Sequence, residues 1–281
     1  MREDSKNSRK ANRPPPVKHY DPTGKRPERK NNDDEGGEGV IEGRNAIIEA
    51  LRAGVQIDKV FVAKGETDAA LRHIASLARA AGAVVVDADR RKLDSMSFTN
   101  AHQGVIANIA FAEYVSVGDI LEIARQKGEA PLVVLCDEIS DPHNLGAIIR
   151  TCEAAGAHGV VIPKRRSAGL SATVVKASSG ALYHTAVARV TNLTASIAEL
   201  KKAGLWVFGA SSTGATPLWQ SDFRGPTALV VGSEGAGISR LVGENCDHIV
   251  RIPMFGKISS LNASVSAAVL MYEAVRQRQL I

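Results

Sequence analysis

The stretch PLVVLCDEISDPHNLGAIIR, residues 131–150, decides how the rest of the chain is read. Its first half is an unbroken apolar run, the composition of a strand covered on both faces. Its second half turns polar at SDPHN and then becomes helical, with a helix expected over 145–155. The same unit recurs downstream: strands at GVVI, HTAVARV, LWVFGAS, TALVVGS and HIVRIP are separated by helices around TVVKASSGAL, over LTASIAELKKAG and after Ser239. A long final helix, LNASVSAAVLMYEAVRQRQL, closes the chain. This alternation predicts a parallel sheet with helices on both faces, and ligands of such sheets bind at the loops after the strand ends.

Upstream, a smaller α/β unit is expected. GRNAIIEALRAG has Ile47, Ile48 and Leu51 on one helical face, DKVFVAK and AVVVDA read as strands, and a helix between them ends at Gly82. GVIANIAFA, residues 104–112, closes that unit as a strand. The chain thus divides into a tail (1–38), a small domain (39–113), a connector with a short helix (114–130) and a large domain (131–281).

The 281 residues carry a net charge of +5, but ten Lys/Arg against four acidic residues fall within residues 1–30. Everything beyond them sums to −1, so the basic character belongs to the tail and says nothing of the folded part. Residues 1–38 are nearly free of large apolar side chains and are expected to be disordered. Two roles stay open for them: a loose grip on RNA phosphates, or a solubilising extension. No apolar run approaches the roughly 18 residues of a membrane span, and MREDSKNSRK lacks the apolar segment of a secretion signal. A cytoplasmic protein is expected. Cys136, Cys152 and Cys246 have no metal or redox spacing and read as buried small hydrophobes.

Three strand-end loops of the large domain carry polar residues suited to chemistry. The first holds Asn144 and, further into its helix, Arg150. The second, GSEGAG after LVV, holds Glu234. The third, MFGKISSLNASVS, holds Ser259, Ser260, Asn262 and Ser264. Asn144, Ser259 and Ser260 also fit simple helix caps, Arg150 fits a surface position, and Glu234 fits a solvated turn. Asn262 is harder to dismiss, because an amide between Leu261 and Val265 needs hydrogen-bond partners. GSEGAG resembles a phosphate-binding turn except for its carboxylate, which has the wrong sign for a phosphate. There is no P-loop, no G-x-G-x-x-G and no H-E-x-x-H. A ligand at this turn is therefore expected to be neutral or cationic, as the sulfonium S-adenosylmethionine is, and no metal is expected.

NLGAIIR (144–150), VVGSEGAGIS (230–239) and IPMFGKISSLNASVSAAVLMYEAVRQR (252–278) resemble, in order and spacing, the three signature motifs of the SPOUT-class RNA 2′-O-ribose methyltransferases. Within that class the chain is most similar to the bacterial 23S ribosomal RNA guanosine 2′-O-methyltransferases. GRNAIIEAL and HQGVIA extend the resemblance to the class's ribosomal-protein-like RNA-binding domain. The resemblance implies a large domain threaded as a trefoil knot, S-adenosylmethionine bent within it, ribosomal RNA as substrate and a homodimer whose second subunit completes the site. It assigns Gly209, Ala210, Gly232, Ile252 and Leu261 to the cofactor, and Asn144, Arg150, Glu234, Asn262 and Ser264 to the polar catalytic set. Arg150 is then either a base of lowered pKa or a charged clamp on phosphate and developing alkoxide. Glu234 is expected to pair with Arg150 or to hydrogen-bond the neighbouring loops. A transfer-RNA methyltransferase and a non-catalytic ribosome-assembly factor are the alternatives.

For RNA contact, Lys164, Arg165, Arg166, Arg90, Arg91 and Lys92 are candidates for phosphates, and His102 and Gln103 for bases or backbone. The basic tracts also fit solvated surface charge. Aromatics at 4% give no indication of extensive base stacking.

Overall fold

The computed structural model describes residues 39–65, 68–99 and 101–279. The expected disordered tail lies outside the described residues.

The first sheet is four-stranded. Its elements run β1 (Val40–Glu42), α1 (Arg44–Arg52), β2 (Ile57–Ala63), α2 (Ala69–Ala80), β3 (Val84–Ala88), α3 (Arg90–Met96) and β4 (Val105–Ile109), with strand order β1-β4-β2-β3. β2 and β3 are parallel and the other pairs antiparallel. Ile47 on α1 and Leu71, Ile74 and Ala78 on α2 pack with Val60, Val62, Val105 and Ala107 into one core. β1 and α3 differ from the sequence reading. β1 is three residues long, too short for a period, and α3 buries only Leu93, so neither shows an amphipathic pattern.

The second sheet follows α4 (Val117–Lys127). In chain order it comprises β5 (Leu132–Asp137), α5 (Pro142–Ala154), β6 (Gly159–Pro163), α6 (Ala172–Ala177), β7 (Val187–Val190), α7 (Leu193–Lys202), β8 (Trp206–Ala210), β9 (Thr216–Pro217), β10 (Thr227–Gly232), α8 (Arg240–Asn245), β11 (His248–Arg251) and α9 (Ala263–Gln279). All seven strands are parallel, in the order β7-β6-β5-β10-β8-β11-β9. The reading of residues 131–139 as a strand covered on both faces holds over Leu132–Asp137. Leu132, Val134 and Cys136 point into the core under α5, α6 and α9, while Val133 and Leu135 point to the opposite face under α4 and α7.

The connector is more than a tether. Ser116 and Asp119 form a capping box at the start of α4, and Gly128 ends the helix in the left-handed conformation. Val117, Ile120 and Ala124 are buried in the second face's core, and Val115 bridges in parallel to Ala188 of β7. The sequence reading undervalued this helix because its apolar positions are interleaved with charge.

Ile120 is fully buried against β6, where a Cβ on Gly159 would lie 2.7 Å from its Cδ1. Ile120→Ala is expected to cost about 2–5 kcal/mol in urea unfolding; a loss under about 1 kcal/mol would show α4 to be a loose connector after all.

Candidate active site

Parallel neighbours end on the same side, so the C-terminal ends of β5, β10, β8 and β11 form one continuous edge. That edge carries Asp137 on β5, Gly232 on β10, Gly209 and Ala210 on β8, and Ile252 just after β11. Leu261 stands in the segment leading from β11 into α9, half-buried like Ala210, Gly232 and Ile252.

The turn after β10 closes on itself. Ser233 N donates to Gly237 O at 3.1 Å, and Gly237 N donates back to Ser233 O at 2.9 Å. A Cβ on Gly232 would fall 2.0 Å from the carbonyl carbon of Gly237, so only glycine allows the chain to fold back here. Gly235 and Gly237 take the left-handed conformation that the reversal needs. The Asp137 carboxylate, buried at the end of β5, accepts from Ser239 N at 2.6 Å and fastens the turn to the neighbouring strand. Sequence reasoning passed over Asp137. The available signal was an acid ending an otherwise apolar run, a group that must find a donor once buried.

Glu234 lies at the tip of this turn between the N-termini of two helices. α5 is capped by Asp141, whose carboxylate accepts from His143 N at 3.0 Å, with Pro142 in the first turn. Asn144 is therefore relieved of capping, and its Nδ2 donates to Glu234 Oε1 at 3.0 Å. α9 is capped by Asn262, whose Oδ1 accepts from Ser264 N at 2.9 Å, Ser264 Oγ at 2.6 Å and Val265 N at 3.3 Å. That capping duty points the oxygen into the helix, so the Nδ2 faces outward. It donates to Glu234 Oε1 and to Asn144 Oδ1, the latter at 2.9 Å. The three side chains close a triangle, with the carboxylate bonded to amides near the N-termini of two helices, where negative charge is favoured. Glu234 thus plays the part a bound phosphate plays elsewhere: it supplies the turn with its anion.

Of the remaining candidates, Ser264 joins the triangle through Asn262. Arg150 does not. It sits on α5 six residues beyond Asn144, about 9 Å along the axis and on a different face, and among the described residues it makes no ion pair or hydrogen bond with Glu234. Of the two partners expected for Glu234, the neighbouring loops are the ones observed. Ser259 and Ser260 precede α9 without capping it.

The RNA-contact candidates separate as well. Lys164, Arg165 and Arg166 follow β6, so they border the same sheet edge; Arg166 pairs with Glu138 at 2.8 Å and Arg165 is exposed. Arg90, Arg91 and Lys92 lie exposed on α3. His102 is corrected: it is buried, its Nε2 meets Asp94 Oδ1 at 2.9 Å, and its Nδ1 accepts from Gly104 N at 3.0 Å, leaving neither ring nitrogen for RNA. Gln103 spends its Oε1 on Arg44 N at 3.2 Å. Beside it a cavity of about 590 Å³ is bordered by Glu42, Asn45 and the half-exposed ring of Phe98. Phe98 was not singled out in sequence, because one aromatic in a polar loop has no pattern. Cys136 and Cys152 are buried, their thiols pushed well above the usual range by burial, and Cys246 is half-buried.

Comparison with known proteins bears on both sheets. The sequence model of the SpoU rRNA methylase family matches residues 131–272, and that of the RNA 2′-O ribose methyltransferase substrate-binding domain matches residues 40–115. A Bacillus subtilis protein assigned to the TrmH family of tRNA/rRNA methyltransferases is 46% identical over 236 residues, covering 84% of this chain and 94% of its own. The crystal structure of an AdoMet-bound rRNA methyltransferase from Sinorhizobium meliloti superposes with a TM-score of 0.53 at 26% identity, covering 84% of this chain and 86% of its own. A structure concerned with 2′-OH methylation of C/U34 on tRNA has a TM-score of 0.50 at 27% identity and covers 99% of its own chain, but only 54% of this one.

Asn262→Ala removes both the α9 cap and a corner of the triangle, and an unfolding loss of about 1 kcal/mol is expected. In a double-mutant cycle with Glu234→Gln the two changes are expected to be non-additive by about 0.5 kcal/mol or more. Strict additivity in urea titrations would contradict the contact.

Proposed function

The chain belongs to the SpoU rRNA methylase family, and within that family we propose that it methylates the ribose 2′-hydroxyl of a guanosine in 23S ribosomal RNA, as a cytoplasmic homodimer. It is an enzyme, an S-adenosylmethionine-dependent RNA 2′-O-ribose methyltransferase. The observation that carries the finer reading is the small domain, residues 39–113. The ribosomal RNA enzyme from Sinorhizobium aligns along 84% of the chain, whereas the transfer-RNA enzyme aligns along 54%. Transfer RNA is the alternative substrate.

The residues at the sheet edge fit S-adenosylmethionine. Gly209, Ala210, Gly232, Ile252 and Leu261 bring small or apolar groups and no basic side chain, and the anion of the turn is already supplied by Glu234. Such an edge suits a ligand with a sulfonium and no phosphate. We assign these five residues to holding the cofactor, within a trefoil knot of residues 131–281. S-adenosylmethionine supplies an electrophilic methyl group on a sulfur that is already a good leaving group.

The chain's own task is to place the ribose and manage the proton of the 2′-hydroxyl. Asn144, Glu234, Asn262 and Ser264 hold the three loops in register, which keeps the reacting groups at attack distance. Arg150 is the group assigned to the RNA. A guanidinium keeps its proton and is a poor base, and among the described residues the exposed Arg150 is tied to no carboxylate, so its charge is available to a phosphate or a developing alkoxide. We favour the clamp over the base. Lys164 and Arg165 beside the edge, and Phe98 and Asn45 at the small domain's cavity, extend the RNA surface.

The homodimer is supported by α9. Ala263, Ala267, Leu270, Met271 and Ala274 are buried on its inner face, yet Val265, Val269 and Tyr272 are exposed on the outer one. Phe255 and Ile258, on the preceding segment, are 91% and 71% exposed. A helix apolar on two faces requires cover on both. Among the described residues no helix is long and apolar enough to cross a membrane.

Mapping ribose methylation in cells with and without the gene is expected to show loss of one guanosine 2′-O-methyl group from 23S ribosomal RNA. Loss from a transfer RNA, with ribosomal RNA unchanged, would contradict the assignment. With purified enzyme, Arg150→Lys is expected to retain more single-turnover activity than Arg150→Ala. A wild-type rate rising log-linearly with pH while methyl transfer limits turnover would instead make Arg150 the base.

A further inference from the structure

The seam between the two sheets is built around a buried charge. β2 carries a bulge at Asp58: its ladder with β4 pairs Ile57 with Ile109 and Lys59 with Asn108, and Asp58 is skipped. A bulge re-aims the residue it adds, and here the carboxylate leaves the small domain and meets the guanidinium of Arg189 on β7. The two side chains are 7% and 10% exposed. Tyr114, at the start of the connector, donates its hydroxyl to Asp58 Oδ1 at 2.7 Å and accepts from Leu170 N at 3.1 Å. Its ring lies 4.1 Å from the Arg189 guanidinium, and burial pushes the phenol well above its usual range, so it stays a donor. Arg189 Nη2 reaches back to Gly82 O at 3.2 Å. The fit is close: a Cβ on Gly169 would stand 1.9 Å from Asp58 Oδ2.

The loop gripped at this seam leads to the candidate active site. Lys59 Nζ donates to Ser167 O at 3.0 Å and Phe111 N to Leu170 O at 2.7 Å, so the small domain holds the segment after β6 at several points. The same segment is bound to the turn after β5 by Ala168 N to Ile139 O at 2.8 Å and by the Arg166–Glu138 pair at 2.8 Å. Glu138 and Arg166 both adopt the left-handed conformation that such side chains rarely take. Three residues after Glu138, Asp141 caps the helix that carries Asn144.

A buried ion pair is a poor device for stability alone, since desolvation offsets most of its attraction. It does penalise every arrangement in which either charge is buried without the other. We propose that Asp58, Tyr114 and Arg189 are positioning residues that lock the small domain onto the large one in one orientation, so that RNA held by the first is presented in fixed register to the Asn144–Glu234–Asn262 edge. The kinetic consequence rests on the RNA methyltransferase reading; the locked orientation does not.

The test uses the full chain. Small-angle X-ray scattering of the full chain, with residues 1–38 left free to vary in the fit, is expected to need one arrangement of the two domains at both low and high salt, because a buried pair is little screened. Arg189→Gln and Gly169→Ala, the second of which displaces the Asp58 carboxylate without removing a charge, are expected to enlarge the scattering envelope. They are also expected to raise KM for RNA about tenfold or more while leaving kcat and S-adenosylmethionine affinity within about twofold. A wild-type curve that needs several arrangements of the two domains, or domains that separate as salt rises, overturns the lock, even if neither variant folds. Folded variants with unchanged scattering overturn it as well, and enlarged envelopes with unchanged KM overturn the positioning role. A wild-type enzyme inactive on RNA would defeat the functional reading and leave the scattering result to decide the lock by itself.

Discussion

One carboxylate organises the active edge of this protein. Glu234 is held by the side-chain amides of Asn144 and Asn262, each at the start of a helix, so three loops from distant parts of the sequence are joined at a single oxygen. Because helix N-termini attract negative charge, an empty junction of this kind would draw in a phosphate. With the anion supplied from within the chain, the junction has no need of a bound phosphate, which is why we propose a ligand of the opposite character beside it. The self-closing glycine turn and the Asp137 bond to Ser239 N keep the carboxylate in place.

The large domain was legible because strong patterns marked it. Residues 131–139 read as a doubly covered strand, and alternate side chains do enter opposite cores. GSEGAG read as a turn wrong for phosphate, and the triangle supplies the reason. Other features left no local trace. Asn144 fits a cap in isolation, and only Asp141, already capping the same helix, frees it. His102 looked available because its burial depends on Asp94 and Gly104 closing round it. The pairing of Arg150 with Glu234 failed on helix geometry, which sequence adjacency within a motif does not convey. The bulge at Asp58 and its partner 131 residues away are contacts of tertiary packing, with no periodicity to announce them.

Stability and function are divided between different parts of the chain. The apolar faces of the parallel sheet, including the α4 helix of the connector, carry the fold. Two polar networks, the strand-end triangle and the interdomain seam, join segments far apart in sequence and so fix geometry. The outer face of α9 leaves Val265, Val269 and Tyr272 exposed, the observation behind the proposed homodimer.

The edge beside Glu234 is expected to accept a methyl-donor sulfonium and to disfavour a phosphate chain. Calorimetric titration of the full-length protein with S-adenosylmethionine and, separately, with ATP tests it directly, since both carry the same adenosine. Saturable binding of S-adenosylmethionine with none of ATP at equal concentration is the result expected. Equal or tighter binding of ATP would contradict the reading of Glu234 and of the pocket built around it.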